Sequence, residues 1–574
     1  MPRRHQVAAL AAAAWALLVA ARVLTAAPDP WEWDEILFTN AVRDGIDLRA
    51  MRPHAPGYPL FVMGGRALAA AGVEPFRAAT LTGLAGGLLA PVALGALLVA
   101  LEVPLAWATM GGALYAFVPS VWLHAVRPLS DSLAAAAFLA SAAALVASSR
   151  RTDGRLLAAG AGFAGLCFGA RPQTAVALLP FAAWSALHFA RRGRSGSALA
   201  SASLGLAVSA LVTLPAVVGT GGLAPYRAVV AHQAAYVRAE DSLRLVDLAK
   251  ADTWARWVRD PFGPDALAAA FLLLAACGAL AEPRKALRLA AIFGPLVALT
   301  IPFSSLPAAP RYALVLLPFP AALAALALWR LARRSRPAAA LAGAALVGAS
   351  AAVGAPAVVE VATHTSPPVA ACHALRDDPV LAGRPLVVWG GLQQHRKSFL
   401  PGRQAREVRE DAIADVTARD LIVMADDAVF GQVPIRRFAF RSPLLERISR
   451  ARYRNVSIVP GNPRVGILQP WLDGTGDFDS STGDSRLEPG AVLTVRGPVG
   501  PVEVTVHAAA TPRRATILRV MADGASRRVE LVSGEERTIA FRASPNATHT
   551  LFRLAVEDGP VSLTGWRVRP GGSP

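Results

Sequence analysis

Residues 7–27 read VAALAAAAWALLVAARVLTAA, an apolar run long enough to cross the hydrocarbon core of a membrane. It is the first of about eleven such runs between Val7 and Val358. The chain of 574 residues is 54% hydrophobic and only 17% charged, with a mean hydropathy of +0.41. A soluble protein could not bury that many apolar side chains. The sequence therefore predicts a polytopic α-helical membrane protein with about eleven transmembrane helices.

Clusters of basic residues lie between the apolar runs and predict the orientation of the chain. They precede the first run or follow even-numbered runs: Arg3 and Arg4; Arg150, Arg151 and Arg155; Arg191, Arg192 and Arg194; Arg284, Lys285 and Arg288; Arg330, Arg333, Arg334 and Arg336. Because basic loops stay in the cytoplasm, the N-terminus is predicted inside, and an odd number of spans places everything after Val358 outside. The net charge of +18 is thus explained by topology rather than by nucleic-acid binding.

The first run has two interpretations. Arg3, Arg4 and the small residues Thr25-Ala26-Ala27 match a cleaved signal peptide. The apolar stretch continues nearly to Ala27, however, which favours an uncleaved anchor whose Arg22 snorkels to the outer surface. In both interpretations Pro28 and the residues after it emerge on the outer side.

Three stretches depart from the pattern of spans. Residues 28–77 form an outer loop whose apolar spacing predicts short amphipathic helices at the membrane interface. Residues 219–264 form a second long outer loop, and loops of that length are usually functional; its notable residues are His232, Tyr236, Arg238, Glu240, Asp241, Trp254 and Trp257. Residues 360–574 predict an extracytoplasmic domain.

That outer domain divides into two parts. Residues 360–480 contain two buried-strand candidates, at 385–389 and 420–424, with a helix-compatible stretch between them, which predicts a small α/β region. Residues 485–574 alternate between apolar and polar in short segments separated by turn residues, which predicts a β-sandwich or jelly roll.

The first outer loop carries the most informative polar residues. In Trp31-Glu32-Trp33-Asp34-Glu35, two adjacent carboxylates follow a span directly, at the level of lipid headgroups. Partial burial and like-charge repulsion suit Asp34 or Glu35 to act as a general base, and the pair could also hold a divalent cation. The alternative is that Asp34 caps an interfacial helix.

Several other ionisable residues share the outer face in this topology: His54, Arg127, Asp131, Arg171, His232, Arg238, Arg311 and Tyr312. Arginines are disfavoured on that face, so several of them there indicate a phosphate clamp beside a base. Each arginine also has an alternative explanation that involves only its own neighbours. Arg127 and Asp131 could form an i, i+4 ion pair, Arg171 could snorkel to headgroups, and Arg311 with Tyr312 could anchor the interface.

The sequence motifs of soluble enzymes are absent. There is no phosphate-binding Gly-x-x-x-x-Gly-Lys-Ser/Thr loop, Cys-x-x-Cys or His-Glu-x-x-His, so nucleotide hydrolysis and structural zinc are unsupported. Cys167, Cys277 and Cys372 are too few for a disulfide framework and are predicted to be inert core thiols.

In their order and sidedness these residues resemble the GT-C superfamily of polytopic glycosyltransferases, in the branch of bacterial aminoarabinose transferases and protein O-mannosyltransferases. The match consists of Asp34-Glu35, His54-Ala-Pro-Gly-Tyr-Pro-Leu60, Arg127-Pro-Leu-Ser-Asp131, Ala170-Arg-Pro172 and Arg311-Tyr312. It covers about the first 350 residues, and Ala55 stands where mannosyltransferase-like members have the first proline of a pair.

The resemblance implies that residues 1–358 form a catalytic domain that transfers a sugar from a polyprenyl-phosphate donor, with inversion, to an acceptor hydroxyl on the extracytoplasmic face. The acceptor would be a glycan, a lipid or a protein. In this chain Asp34 would be the general base, supported by Glu35, and Arg127, Arg171 and Arg311 would bind the donor phosphate. The substrate pocket would contain His54, Tyr58, Asp131, His232 and Tyr312.

Metal use varies within the superfamily, so a divalent cation at Asp34 and Glu35 stays open. The arginine-rich, lysine-poor composition predicts a bacterial plasma (inner) membrane. Two other functions also remain. A transporter or lipid flippase predicts ionisable residues near mid-membrane, whereas these lie at one rim. A non-catalytic scaffold with a glycan-binding outer domain predicts that Asp34 is dispensable.

Overall fold

The computed structural model of the protein describes most of the helical part and the strands of the outer part. The described residues are 2–240, 257–303, 310–408, 419–425, 435–449, 455–460, 465–468, 478–480, 485–487, 492–496, 502–510, 516–522, 525–543, 550–559 and 561–570.

The described helices follow one another along the chain. They are α1 (Pro2–Leu24), α2 (Trp33–Asp44), α3 (Pro59–Ala70), α4 (Pro75–Ala100), α5 (Leu105–Ala116), α6 (Pro119–Ala125), α7 (Asp131–Arg151), α8 (Gly154–Ala170), α9 (Pro172–Val176), α10 (Leu179–Arg191), α11 (Ser195–Gly219), α12 (Leu223–Glu240), α13 (Asp265–Ala281), α14 (Pro283–Phe303), α15 (Pro318–Ala332), α16 (Arg336–Thr363), α17 (Pro367–Asp377), α18 (Gln393–Phe399) and α19 (Pro443–Ser449). Short 3₁₀ turns lie at Leu48–Ala50, Asp260–Phe262, Pro310–Ala313 and Gly390–Leu392.

Four stretches within the described residues are long and apolar enough to cross a membrane: α4, α7, α11 and Arg336–Asp377, which contains α16 and α17. The pair α13 and α14, bent by 117°, would make a fifth. The prediction of a multi-pass helical protein is confirmed; the count of eleven spans is not, and the orientation stays a prediction. Proline explains part of the difference, because Pro119 and Pro318 each begin a helix inside a longer apolar run.

The centre of the helical part is the packing of α4 against α7, which in turn packs on α8. Two glycines of α4 allow the close approach. A Cβ added at Gly86 would lie 2.3 Å from the Leu133 backbone nitrogen, and one at Gly83 would lie 2.6 Å from the Arg127 carbonyl oxygen. Small residues therefore let the segment from Arg127 to Leu133 lie directly on α4.

Two predictions about individual side chains are wrong. Arg22 does not snorkel; it is fully buried beneath the outer part, donates from Nη2 to the Ala116 carbonyl and lies 5.7 Å from the Trp122 ring centroid. A neighbouring carbonyl and an aromatic face replace water for this guanidinium. Cys167 and Cys372 are buried, but Cys277 is exposed on α13.

The two outer loops contain helices. Within residues 28–77, α2 and α3 confirm the predicted short helices. Within residues 219–264, α12 extends from Leu223 to Glu240, and its Tyr226 hydroxyl donates to the Pro56 carbonyl oxygen at 3.3 Å. The helix α12 is therefore packed on the loop of residues 28–77.

The predicted α/β region contains a five-stranded sheet in the order β2-β1-β3-β5-β4. Its strands are β1 (Leu386–Trp389), β2 (Arg406–Val408), β3 (Leu421–Ala425), β4 (Arg436–Ala439) and β5 (Asn455–Pro460). β1 runs parallel to β2 and β3, whereas β5 is antiparallel to β3 and β4. The two strands predicted from sequence are confirmed as β1 and β3. We call this sheet, with α17, α18 and α19, the α/β unit.

The remaining strands form two five-stranded sheets. They are β6 (Val465–Leu468), β7 (Phe478–Ser480), β8 (Ser485–Leu487), β9 (Val492–Arg496), β10 (Val502–Ala510), β11 (Thr516–Ala522), β12 (Ala525–Leu531), β13 (Glu536–Ala543), β14 (Thr550–Asp558) and β15 (Val561–Pro570). One sheet has the order β13-β10-β15-β7, with β8 also on β15, and the other has the order β12-β11-β14-β9-β6. Because β6 and β7 precede residue 485, the sheets begin earlier in the chain than the predicted 485–574 domain.

Candidate active site

The start of α2 explains why three acidic residues cluster there. Glu32 is the N-cap, and Glu35, one turn later, accepts from the backbone N–H groups of Trp31 (2.6 Å) and Glu32 (3.4 Å). The first turn of a helix has free N–H groups, which favours carboxylates at these positions. The alternative in which Asp34 caps the helix is therefore wrong, since Glu32 occupies that position.

Arg127 is enclosed by two of these carboxylates. Its Nε and Nη2 atoms both lie 2.5 Å from Glu35 Oε1, and Nη2 lies 3.0 Å from Glu32 Oε1. Glu35 is 0% exposed and the Arg127 side chain 2%. The i, i+4 ion pair between Arg127 and Asp131 is wrong, because Asp131 begins α7 and pairs with Arg171 instead.

Arg311 reaches the same helix terminus from the 3₁₀ turn at Pro310–Ala313. Its Nη2 lies 2.5 Å from Asp34 Oδ2 and its Nη1 lies 3.1 Å from Glu32 Oε2. Glu32 therefore bridges Arg127 and Arg311. The site prediction omitted Glu32, although its i, i+3 spacing from Glu35 marks it as a capping partner.

His54 lies beside Asp34, and Tyr58 lies beside His54. His54 Nδ1 is 3.8 Å from Asp34 Oδ1, and its Nε2 is 3.1 Å from the Tyr58 hydroxyl. Tyr58 is the N-cap of α3 and has a left-handed backbone with φ +45°. That conformation turns its ring back toward His54 and the edge of Phe38, whose centroid is 5.3 Å away.

A second pair of arginines lies around Tyr312. The guanidinium carbons of Arg171 and Arg311 lie 5.9 and 5.2 Å from the Tyr312 ring centroid. Arg171 also pairs with Asp131, which α7 presents at its first turn. The side chains of Arg171 and Arg311 are 12% and 15% exposed, so both are more accessible than Arg127.

The remaining predicted pocket residue is His232, and the other residues singled out in the loop 219–264 lie near it in the chain. His232 is exposed on α12, and no contact with the cluster around Asp34 is among those described. The side chains of Tyr236, Arg238 and Glu240, and the whole of Asp241 and Trp254, lie outside the described residues; Trp257 is described and is buried.

His124 is a second residue that sequence analysis missed. It is fully buried on α6, and its Nδ1 donates to the Ser120 carbonyl oxygen at 2.7 Å. Burial, reinforced by the nearby Arg127 guanidinium, lowers the pKa of His124 to about 3. It is therefore neutral beside the charged cluster, and no motif in the sequence marks it.

The cluster is close to electrical neutrality. It contains four carboxylates (Glu32, Asp34, Glu35 and Asp131) and three guanidiniums (Arg127, Arg171 and Arg311). Burial raises the pKa of Glu35 to about 7, against the opposing effect of Arg127 and with the help of the Glu32 charge. Burial also acts to raise the pKa of Glu32, but Arg127 and Arg311 outweigh it and the pKa is lowered. Burial lowers the pKa of His54, although Asp34 opposes it.

The residues present do not fit a divalent cation. Among the described residues no group of three or more His, Cys, Asp or Glu side chains is arranged to hold a metal. Arginine guanidiniums already neutralise oxygens of Asp34 and Glu35, the two carboxylates considered for a cation. A hard cation needs several oxygen ligands that are not already engaged by arginines.

Glu35→Gln should change how stability depends on pH. A carboxyl whose pKa rises from 4.5 unfolded to about 7 folded stabilises the protein below pH 4.5, and this contribution is lost as pH rises through 7. Between pH 5 and 8 we expect the melting temperature of the wild type to fall by a few °C more than that of the variant. Thermal unfolding in detergent measures this, with Glu102→Gln as the exposed control; equal pH slopes would contradict it.

The chain was compared with known families, curated proteins and solved structures. No family model and no curated protein sequence matches it. Its structure is similar to that of ArnT from Cupriavidus metallidurans without ligand (14% identity, 80% of this chain and 97% of that chain, TM-score 0.46). It is also similar to the same enzyme bound to undecaprenyl phosphate (14%, 80% and 98%, 0.43) and to the arabinosyltransferase EmbB from Mycobacterium smegmatis (13%, 97% and 64%, 0.41).

Proposed function

We propose that this chain is a multi-pass glycosyltransferase of a bacterial plasma membrane, which transfers a sugar from a polyprenyl-phosphate donor to an acceptor hydroxyl with inversion. The observation that carries the proposal is the position of Asp34. Its side chain, 22% exposed, lies between neutral His54 on one side and Arg311 on the other, and Arg171 lies across the Tyr312 ring. A carboxylate base beside two accessible arginines suits displacement of a phosphate.

Asp34 is suited to receive the proton of the acceptor. In the tautomer in which Tyr58 donates to His54 Nε2, the hydrogen of His54 is on Nδ1 and faces Asp34. An acceptor oxygen about 2.8 Å from both groups would accept from Nδ1–H and donate to the carboxylate. The neutral imidazole orients the hydroxyl without competing for its proton.

The reaction is a single displacement. The acceptor oxygen attacks the anomeric carbon from the face opposite the phosphate while Asp34 takes the hydroxyl proton. The bond between that carbon and the phosphate oxygen breaks, and the electron pair leaves with the polyprenyl phosphate. No acid is needed for this leaving group. Arg171 and Arg311 stabilise its charge.

Arg127 takes a different role from the one that the family resemblance implies. It was expected to bind the donor phosphate, but its guanidinium is buried and enclosed by Glu32 and Glu35. We assign it to holding the start of α2. Glu35 then supports Asp34 through the helix terminus rather than by contact with substrate.

The proposal is tested by assaying membranes that contain the wild-type protein with radiolabelled sugars carried on undecaprenyl phosphate. That carrier is present in one of the Cupriavidus structures, which makes it a practical probe. We expect label to move to an acceptor in the membrane and NMR of the product to show the inverted anomer. Absence of transfer from every hexose and pentose donor, in membranes with verified expression, would overturn the proposal.

Arg171→Gln should weaken donor use selectively. Loss of one charged donor to the leaving phosphate is expected to lower kcat/KM for the donor about 100-fold, with little change in the KM of the acceptor. Arg171→Lys should have an intermediate kcat/KM for the donor, because lysine keeps the positive charge but lacks the planar, two-pronged guanidinium. Steady-state kinetics with either substrate varied gives the result. Arg49→Gln, an exposed arginine of the first outer loop, is the control; equal effects on both substrates would refute a donor-specific role.

A further inference from the structure

The α/β unit contacts residues 29–31, which come shortly before Asp34 in the chain. Phe440 stacks on Trp31 with ring centroids 4.6 Å apart and ring planes 14° from parallel. Ser366, at the start of α17, donates from its backbone nitrogen to Asp29 Oδ1 at 3.0 Å and from its hydroxyl to the Pro30 carbonyl at 2.7 Å. Three consecutive residues, 29–31, are therefore held by residues that follow α16 in the chain.

The position of Phe440 is itself fixed by a membrane helix. Glu360, near the end of α16, accepts from the backbone nitrogens of Arg441 and Ser442 at 2.5 and 2.7 Å. A carboxylate that receives two backbone N–H groups is a strong anchor. The residues that follow continue into α19, where the Ile448 carbonyl accepts from the Ser120 hydroxyl at 2.8 Å. We call residues 440–448 the strap.

The strap thereby contacts two residues that neighbour the buried ion cluster, Trp31 and Ser120. Through Phe440 it touches Trp31, whose backbone nitrogen donates to Glu35. Through Ile448 it touches Ser120, the residue that also fixes His124 on α6. The α/β unit has a third connection to the cluster, because His395 of α18 is buried and interacts electrostatically with Glu32.

We infer that the strap is a positioning element for the transferase site and that Phe440 and Ser366 are positioning residues acting on Asp34 through residues 29–31. The inference rests on the proposed function. Movement of Trp31 would disturb its bond to Glu35 and, through the first turn of α2, the place of Asp34 against Arg311. Displacement of a catalytic group by about 1 Å costs roughly 100-fold in rate.

The test is Phe440→Ala in the full chain, with kcat and KM determined for the donor. We expect kcat to fall about 10- to 100-fold while the donor KM stays within about twofold, because Arg171 is not touched. Phe440→Tyr, which restores the stacked ring, should recover most of kcat. A kcat equal to that of the wild type would overturn the inference.

A matched control separates positioning from general destabilisation. Phe399 is also partly buried in the α/β unit, where it packs against His373 and the core of the sheet. Phe399→Ala should lower the melting temperature about as much as Phe440→Ala and leave kcat nearly unchanged. Equal losses of kcat in both variants would count against the strap.

A second measurement does not depend on activity. In thermal unfolding, Trp31→Ala and Phe440→Ala should be less than additive if the stack forms. Coupling together with an unchanged kcat would show a contact that is only structural and would overturn the inference. A wild type without transfer activity from any donor would refute the proposed function instead, so the two failures are distinguishable.

Discussion

Asp34→Asn is expected to lower kcat for sugar transfer by 100-fold or more. Removing a general base costs that factor or more when no other group can take the proton. Neighbouring groups are poor substitutes. In the tautomer proposed above, the hydrogen of His54 is on Nδ1 and faces Asp34, and Glu32 is bound between Arg127 and Arg311. The measurement is transfer of radiolabelled sugar from the polyprenyl-phosphate donor in membranes carrying each variant.

Asn is nearly isosteric with Asp, so folding should be kept, and expression level and melting temperature verify this. Asp44→Asn is the matched control. It lies at the other end of the same helix, where its carboxylate pairs with Arg43. Wild-type activity in Asp34→Asn would exclude Asp34 as the base. Such a result would favour the scaffold, for which Asp34 is dispensable.

The candidate site was predicted mainly from the side of the membrane on which each polar residue was expected to lie. The order of the arginine clusters predicted that Asp34, Arg171 and Arg311 lie on one face. The structure brings Arg171 and Arg311 around Tyr312 and pairs Arg311 with Asp34. Which carboxylate each arginine pairs with could not be predicted. Arg311 lies 277 residues from Asp34 in the chain, and the loop that carries it is placed by helix packing that no local pattern encodes.

Glu32 and Arg127 show a second limit. Two adjacent carboxylates, Asp34 and Glu35, looked like a catalytic pair, but neighbours on a helix point in directions about 100° apart. Glu35 points inward to Arg127 and Asp34 points to Arg311. Helical spacing from Glu35 leads to Glu32 instead. A prediction that weighted i, i+3 spacing would have included Glu32 and separated the two roles.

Proline placement limited the fold prediction in a similar way. The apolar runs were counted by length, and many of them contain a proline at which a new helix begins, as at Pro119 before α6. α6 then lies outside the long spans and carries His124 toward the site. In contrast, the strands β1 and β3 were predictable, because their short length and β-branched content favour a buried strand over a helix.

Arg127→Met should destabilise the folded protein by about 3–5 kcal/mol near pH 8. The change removes the guanidinium that pairs with Glu35 and leaves Arg311 as the cation beside Glu32. Both carboxylates are shielded from water. The loss should be smaller at pH 5.5, because Glu35, with its pKa raised to about 7, is then protonated and needs no counter-charge. Thermal unfolding of the purified protein in detergent at the two pH values measures both effects.

The double variant Arg127→Met with Glu35→Gln removes the uncompensated charge and should recover part of the lost stability at pH 8. Arg127→Lys should lie between wild type and Arg127→Met, because a point charge cannot contact both carboxylates as the fork does. If Arg127→Met unfolds at the wild-type temperature at pH 8, the buried ion pair does not contribute as the structure implies.

Variants of Arg127, Arg171 and Arg311 should distinguish the roles of these three arginines, all of which were predicted to bind the donor phosphate. Arg127→Met should lose stability and activity in parallel, since the start of α2 and Asp34 move together. Arg171→Gln should lower kcat/KM for the donor and lose less stability than Arg127→Met. Arg171 is more exposed than Arg127, and its partner Asp131, although buried, lies at the free N–H groups of the first turn of α7. Arg311 touches both Asp34 and Tyr312 and should show both effects. If Arg127→Met lost only donor affinity, Arg127 would be a phosphate ligand, and the assignment made from its burial would be reversed.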